Sequence, residues 1–193
     1  MEILGKILGS VARVKVMRLF LLNKNKVFLS KDIILRSRVS ADSVRKEIRV
    51  LGSINFLKKK GEGYIFDSNF KYVREFENLL ISTDILDKEV VGDTFKKVGK
   101  LKLLVVSGIF IKNKDSRVDI LLVGDNMKKN KIEESVRKME AEVGTEMTYA
   151  IFSTKDFMYR LSMYDKLVRD ILDYPHEVIF QAKELSTQAL KKG

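Results

Sequence analysis

The chain has 193 residues, of which 45% are apolar and 33% are charged, and its net charge is +11. This composition predicts a globular protein with one large or two small domains. There is no cysteine and only one histidine, which excludes disulfides and zinc-thiolate sites, and we predict neither a cofactor nor a metal. No apolar run reaches the roughly 20 residues that span a bilayer, and no secretion signal opens the chain, so we expect a cytoplasmic protein that does not contact membranes.

The positive charge is concentrated in the first third of the chain. Residues 1–67 contain 15 Lys and Arg against 6 Asp and Glu, whereas residues 68–193 contain 22 against 20. An excess of this kind in one part of a protein usually serves attraction to a polyanion. We therefore expect the first third to contact nucleic acid.

The same third predicts three helices and a β-hairpin. Helices are expected over residues 11–22, 31–37 and 41–53. Each follows a serine that can serve as its N-cap, namely Ser10, Ser30 and Ser40. A short strand is expected over 27–29, and two further strands, 56–60 and 64–67, flank the hairpin turn signal Gly61-Glu62-Gly63.

This order of elements resembles a winged helix-turn-helix domain over residues 1–69. By that resemblance, 41–53 is the recognition helix and 57–66 is the wing. The stripe of Val44, Ile48 and Leu51 is expected to be buried, which turns a basic face outward. The residues implied to contact double-stranded DNA are Ser43, Arg45, Lys46, Arg49, Lys58, Lys59 and Lys60. Some winged helices bind protein instead, so a protein-interaction module is an alternative.

Residues 70–100 predict a helical linker with two helices, 70–81 and 83–98. These two helices either connect the two halves of the chain rigidly or form a dimer interface, so a homodimer is one of the alternatives. Residues 101–180 predict a mixed α/β domain, and the tail 181–193 is expected to fray. The strands of that domain are predicted over 101–109, 118–124, 145–152 and 177–180. Its helices are predicted over 131–143, 154–161 and 165–173. His176 is expected in a turn or on the surface.

The segment 107–125 carries the most specific pattern in the chain. A turn at Gly108-Ile109 is followed about ten residues later by Asp119 on an apolar strand, and Arg117 stands two residues before that aspartate. Side chains at i and i+2 of a strand share a face, so two carboxylates at this spacing can share Mg²⁺ ions. Here one of the two positions holds a guanidinium. We expect Arg117 and Asp119 to form an ion pair where a metal would otherwise sit.

The pattern resembles nucleotidyltransferases of the DNA polymerase beta superfamily, in which a Gly-Ser turn precedes Asp-x-Asp or Asp-x-Glu. Residues 144–153, Gly-Thr-Glu-Met-Thr-Tyr-Ala-Ile-Phe-Ser, are similar to the strand that commonly runs Gly-Arg-Glu-Ile-Asn-Tyr-Thr-Val-Phe-Ser in that family. The resemblance implies an α+β protein in which a winged helix-turn-helix precedes a small nucleotidyltransferase-like domain. It implies a degenerate nucleotide site made of Gly108, Ile109, Lys112, Arg117, Asp119 and Glu146.

The sequence therefore predicts a DNA-binding transcriptional regulator whose second domain is a catalytically inactive nucleotidyltransferase fold, used for effector sensing, dimerisation or as a scaffold. Lys112 and Arg117 would suit the phosphate of a nucleotide effector without metal. The alternative of an active nucleotidyl- or adenylyl-transferase of antitoxin type requires Asp119 to bind metal together with Asp115, Asp125 or Glu146.

Overall fold

The structure is a computed structural model that describes residues 3–81, 88–113 and 115–185. Its described residues form a mixed α/β protein with two compact units. Residues 3–81 and 137–146 make the first unit; residues 88–113, 115–136 and 147–185 make the second. The boundaries differ from the prediction, because the expected linker 70–100 is divided between the two units.

The first unit contains the predicted three helices and hairpin. Its elements are α1 Ile3–Ile7, α2 Val11–Leu22, α3 Ser30–Ser37, α4 Ala41–Ser53, β1 Leu57–Lys60, β2 Gly63–Phe66 and α5 Val73–Leu80. The strand expected over 27–29 is reduced to one antiparallel bridge between Phe28 and Tyr64. The two-residue turn of the hairpin begins with Gly61 at φ +59°, a conformation that favours glycine.

Serine caps begin two of the three predicted helices. The Oγ atoms of Ser10 and Ser40 accept from the N–H groups of Arg13 (3.1 Å) and Ser43 (3.3 Å). The expectation for Ser30 is wrong, since this residue already lies inside α3. The carboxylate of Asp32 instead accepts from the N–H of Leu29 at 3.0 Å. A carboxylate in the first turn also interacts favourably with the helix dipole.

The core of the first unit is built around phenylalanines and the predicted stripe of α4. Val44, Ile48 and Leu51 are all buried, as expected. The rings of Phe56, Phe66 and Phe70 meet edge to face with centroids 5.1–6.5 Å apart. Because Phe70 and Leu80 belong to this core, α5 is part of the first unit rather than a linker.

The segment 137–146 completes the first unit from far along the chain. Arg18 is almost fully buried, and its guanidinium donates from Nε to the carbonyl of Leu80 (2.9 Å) and from Nη1 to that of Glu142 (3.1 Å). The amide of Asn23 donates to the carbonyl of Gly144 at 3.0 Å. At Gly144, with φ +94°, a Cβ would lie 2.7 Å from the backbone of Arg18, so only glycine fits.

The second unit is a sheet covered by helices. Its elements are α6 Lys88–Phe95, β3 Lys100–Val106, β4 Ile120–Asp125, the start of α7 Lys129–Val143, β5 Tyr149–Phe152, α8 Thr154–Ser162, α9 Lys166–Asp173 and β6 Glu177–Gln181. Within the described ranges the strand order is β5-β4-β3-β6, with β4 and β5 parallel and the other pairs antiparallel. The predicted third strand is shorter than expected, and the predictions for residues 82–87 and 186–193 fall outside the described residues.

Both central strands are buried on both faces, which explains their continuous apolar runs. On one face Leu103 and Val123 join a core that includes Phe157 of α8 and Ile171 of α9. His176 was expected in a turn or on the surface; it lies in the connection between α9 and β6 but is not on the surface. It is only 9% exposed, and its Nδ1 lies 2.9 Å from the carbonyl of Tyr174.

Candidate nucleic-acid interface and the Asp119 site

The helix α4 presents the cations that the sequence assigned to DNA. Burial of Val44, Glu47 and Ile48 leaves Arg45, Lys46 and Arg49 on the exposed side. Glu47 does not weaken that face, because its carboxylate points inward and pairs with Nε of Arg13 at 2.8 Å. The outer face of α4 is therefore basic.

The predicted residues of α4 differ in how far they are already engaged. Arg45 lies 3.4 Å from Asp42, but both side chains are more than two-thirds exposed, so the pair is weak. The Oγ of Ser43 lies 2.9 Å from that of the N-cap residue Ser40, so the hydroxyl of Ser43 is already engaged by the cap. Lys46 and Arg49 have no hydrogen-bond or ion-pair partner among the described residues.

The hairpin places three consecutive lysines beside α4. Lys58, Lys59 and Lys60 are all exposed on β1, which contacts α4. Lys58 is engaged by Asp67 at 3.2 Å. The pKa of Asp67 lies below its ordinary value, chiefly because its carboxylate accepts the backbone N–H of Asn69 and also because of Lys58. Lys59 and Lys60 are unpaired within the part of the chain that the structure describes.

Glu146 does not belong to the degenerate site to which the sequence assigned it. Its Oε1 accepts from Nη2 of Arg36 on α3 at 2.6 Å, inside the first unit. The Arg36 guanidinium also lies over the ring of Phe28, 5.4 Å from its centroid. The expectation for Glu146 is therefore corrected: this carboxylate neutralises a cation of α3.

Asp119 anchors the turn after β3. Its Oδ1 accepts the N–H of Ile109 at 2.9 Å, and its Oδ2 accepts the N–H and the hydroxyl of Thr148 at 2.8 and 3.0 Å. The residue is 8% exposed. Gly108 lies directly over it with φ +56°, and a Cβ there would stand 2.1 Å from Oδ1. Gly108 and Asp119, both assigned by the sequence to the degenerate site, are neighbours in the fold, and both carboxylate oxygens accept hydrogen bonds within the second unit.

The expectation of an ion pair between Arg117 and Asp119 is wrong. Nε of Arg117 instead donates to Asp170 of α9 at 2.9 Å. The side chain of Arg117 is 57% exposed, so this pair lies at the surface, whereas Asp119 is buried. Lys112 is exposed and follows the 3₁₀ turn Gly108–Phe110 with φ +58°.

The other carboxylates considered as metal ligands have separate roles. Asp125 accepts the hydroxyl and the N–H of Thr154 at 2.8 and 3.1 Å, fastening the start of α8. These hydrogen bonds lower the pKa of Asp125, and the one from the hydroxyl contributes most. Asp115 is exposed. Among the described residues, no three His, Asp or Glu side chains are grouped as a metal site would require.

Two partners in this region were not assigned by the sequence. Thr148 lies in the predicted third strand 145–152, and this position could have singled it out, because a hydroxyl and an N–H together suit a carboxylate. Asp170 had no such signal, since it is one acid among several on α9 and lies 53 residues from Arg117.

Comparison with protein-family models, with curated proteins and with solved structures found no match to this chain. Within the described ranges, no helix has the length and apolar character needed to cross a membrane.

Proposed function

We propose that the protein is a DNA-binding transcriptional regulator, in which the first unit is a winged helix-turn-helix reader. The observation that carries the proposal is the set of unpaired cations on two adjoining elements: Lys46 and Arg49 on α4, and Lys59 and Lys60 on the hairpin. Unpaired surface cations keep their full charge available for phosphates.

The two elements have different tasks in this proposal. Helix α4 enters the major groove, where Arg49 can donate two hydrogen bonds to a guanine edge and so reads sequence. Lys59 and Lys60 at the tip of the hairpin contact phosphates, which adds affinity without sequence preference. Lys58 contributes less than its neighbours because Asp67 already neutralises it.

We propose further that the second unit is a nucleotidyltransferase-like scaffold without catalytic activity. The support is the arrangement at Asp119, where three donors from Ile109 and Thr148 occupy the carboxylate. A two-metal transferase uses such oxygens to bind Mg²⁺, and of the roughly four lone-pair positions of a carboxylate three are taken here by hydrogen bonds. In this role the Asp119 site holds the sheet together and leaves DNA recognition to the first unit.

The test is binding of the full chain to fluorescently labelled duplex DNA, followed by anisotropy at several salt concentrations. The double variant Lys59→Gln/Lys60→Gln is compared with Lys97→Gln/Lys155→Gln, which removes two exposed lysines of the second unit. Each lost phosphate contact should reduce the slope of log K against log salt by roughly 0.9, so the hairpin variant should lose roughly 1.8 units.

The outcomes separate the proposal from its alternative. An equal loss in both double variants would show that binding follows net charge alone and would contradict the assigned interface. No binding of duplex DNA at low salt would instead favour a protein-interaction module. Arg49→Ala should weaken binding to a selected sequence more than to random duplex, since it removes a base contact.

A further inference from the structure

A cleft of about 690 Å³ lies in the second unit between α6 and the strands β3 and β6. Its floor is apolar and is formed by Leu101, Ile179 and Phe180. Phe180 is 43% exposed as a residue and lines the cleft, so its side chain is accessible to a bound molecule. The volume lies within the range of small-molecule sites, which are mostly apolar with a few placed polar groups.

The cleft is kept open by a glycine that the helix itself does not require. Gly92 lies inside α6 and has no positive φ, so its backbone would accept any residue. A Cβ at this position would meet Ile179 at 3.6 Å, an ordinary contact, and any larger side chain would point into the cleft. Because glycine weakens a helix interior relative to alanine, its presence here suggests a use for the space.

Three lysines and two acids line the cleft, namely Lys88, Lys96, Lys100, Glu89 and Asp93, so the lining carries more positive than negative charge. Lys96 is paired with Asp93 at 2.5 Å and Lys88 with Glu177 at 3.2 Å. Lys100 lines the cleft and has no ion-pair partner within the described part of the chain. Asp125, opposite Lys100 in the β3–β4 ladder, accepts hydrogen bonds from Thr154, which are the main cause of its lowered pKa; the charge of Lys100 adds to the lowering without a direct ion pair.

We propose that this cleft binds a small, flat aromatic molecule bearing one carboxylate. The ring lies against Phe180 and the aliphatic floor, and the carboxylate pairs with Lys100. The cleft shares no residue with the Asp119 region or with the cations assigned to DNA, so the proposal goes beyond the proposed function and does not rest on it.

The experiment is a titration of the full chain with 2-naphthoate, followed by ligand-observed NMR. The neutral amide of nearly the same shape, 2-naphthamide, is the matched control ligand. An opposite charge about 4 Å away in water should make the acid bind roughly fivefold tighter than the amide. Lys100→Gln should remove that difference, whereas Lys97→Gln, at an exposed lysine outside the cleft, should keep it.

Two further variants test the cleft itself. Gly92→Leu fills the space and should abolish binding, while thermal melting checks that the helix is retained. Phe180→Ser, at a partly exposed position, should weaken binding of both ligands alike. The proposal is overturned if 2-naphthoate shows no binding, if acid and amide bind equally, or if folded Gly92→Leu binds like the unmodified chain.

Discussion

The contacts of Asp119 lead to a sharp prediction for the substitution Asp119→Asn. An asparagine preserves the shape but has only one oxygen, so its NH₂ group must face either the N–H of Ile109 or the donors of Thr148. One buried donor then lacks an acceptor, which costs about 1–3 kcal/mol, and the remaining hydrogen bonds lose the extra strength of a charged acceptor. We expect a total loss of about 3 kcal/mol in the free energy of unfolding.

This loss should be measured by urea unfolding, followed by far-UV circular dichroism. For a chain of this size it corresponds to a fall in melting temperature of about 6–12 °C. The control is Asp115→Asn, which alters a nearby exposed carboxylate and should change stability by less than about 0.5 kcal/mol.

The sign of the change in stability shows whether Asp119 is a structural anchor or a metal ligand. Acids held for metal binding repel one another when the metal is absent, so neutralising one of them tends to stabilise the protein. A structural anchor does the opposite. If Asp119→Asn leaves stability unchanged or raises it, the interpretation of Asp119 as an anchor is wrong.

Two other predictions concern stability. Gly144→Ala should cost several times more stability than Gly9→Ala in thermal unfolding, because both have positive φ but only at Gly144 would a Cβ meet backbone, 2.7 Å from Arg18; similar losses would contradict this packing. Thr154→Val removes the hydrogen bond that lowers the pKa of Asp125 most. A carboxyl pKa lowered below its ordinary value of 3.8 stabilises the fold at higher pH, and this stabilisation is lost as the pH falls. The free energy of unfolding of the variant should therefore differ most from that of the parent at neutral pH and approach it in acid. A difference in stability that stays constant with pH would show that the lowered pKa of Asp125 is not its cause.

Local elements could be predicted from the sequence because their signals are local. The stripe of Ile132, Val136, Met139 and Val143 predicted α7, and the structure has that helix ending where Gly144 begins the turn. The hairpin followed from the residues of its turn. These features depend on neighbours three or four residues away or on the backbone preference of one glycine.

The partners of charged side chains could not be predicted in the same way. Arg117 meets Asp170, and Arg36 meets Glu146, at separations of 53 and 110 residues. Either arginine has several acids at suitable spacing, and only the packed fold selects one. Gly108 and Asp119, which the motif assigned to one site, are neighbours in the fold, whereas Arg117 was expected to pair with Asp119 and meets Asp170 instead, because the motif carried no information about α9.

The return of residues 137–146 to the first unit has a practical consequence for any attempt to excise that unit. A fragment ending after the hairpin would lack the carbonyls of Leu80 and Glu142, and Arg18 would lose two acceptors for its buried guanidinium. Asn23 would lose the carbonyl of Gly144 as well. Chimaeras that join the amino-terminal third to another protein should therefore misfold unless they also contain residues 137–146.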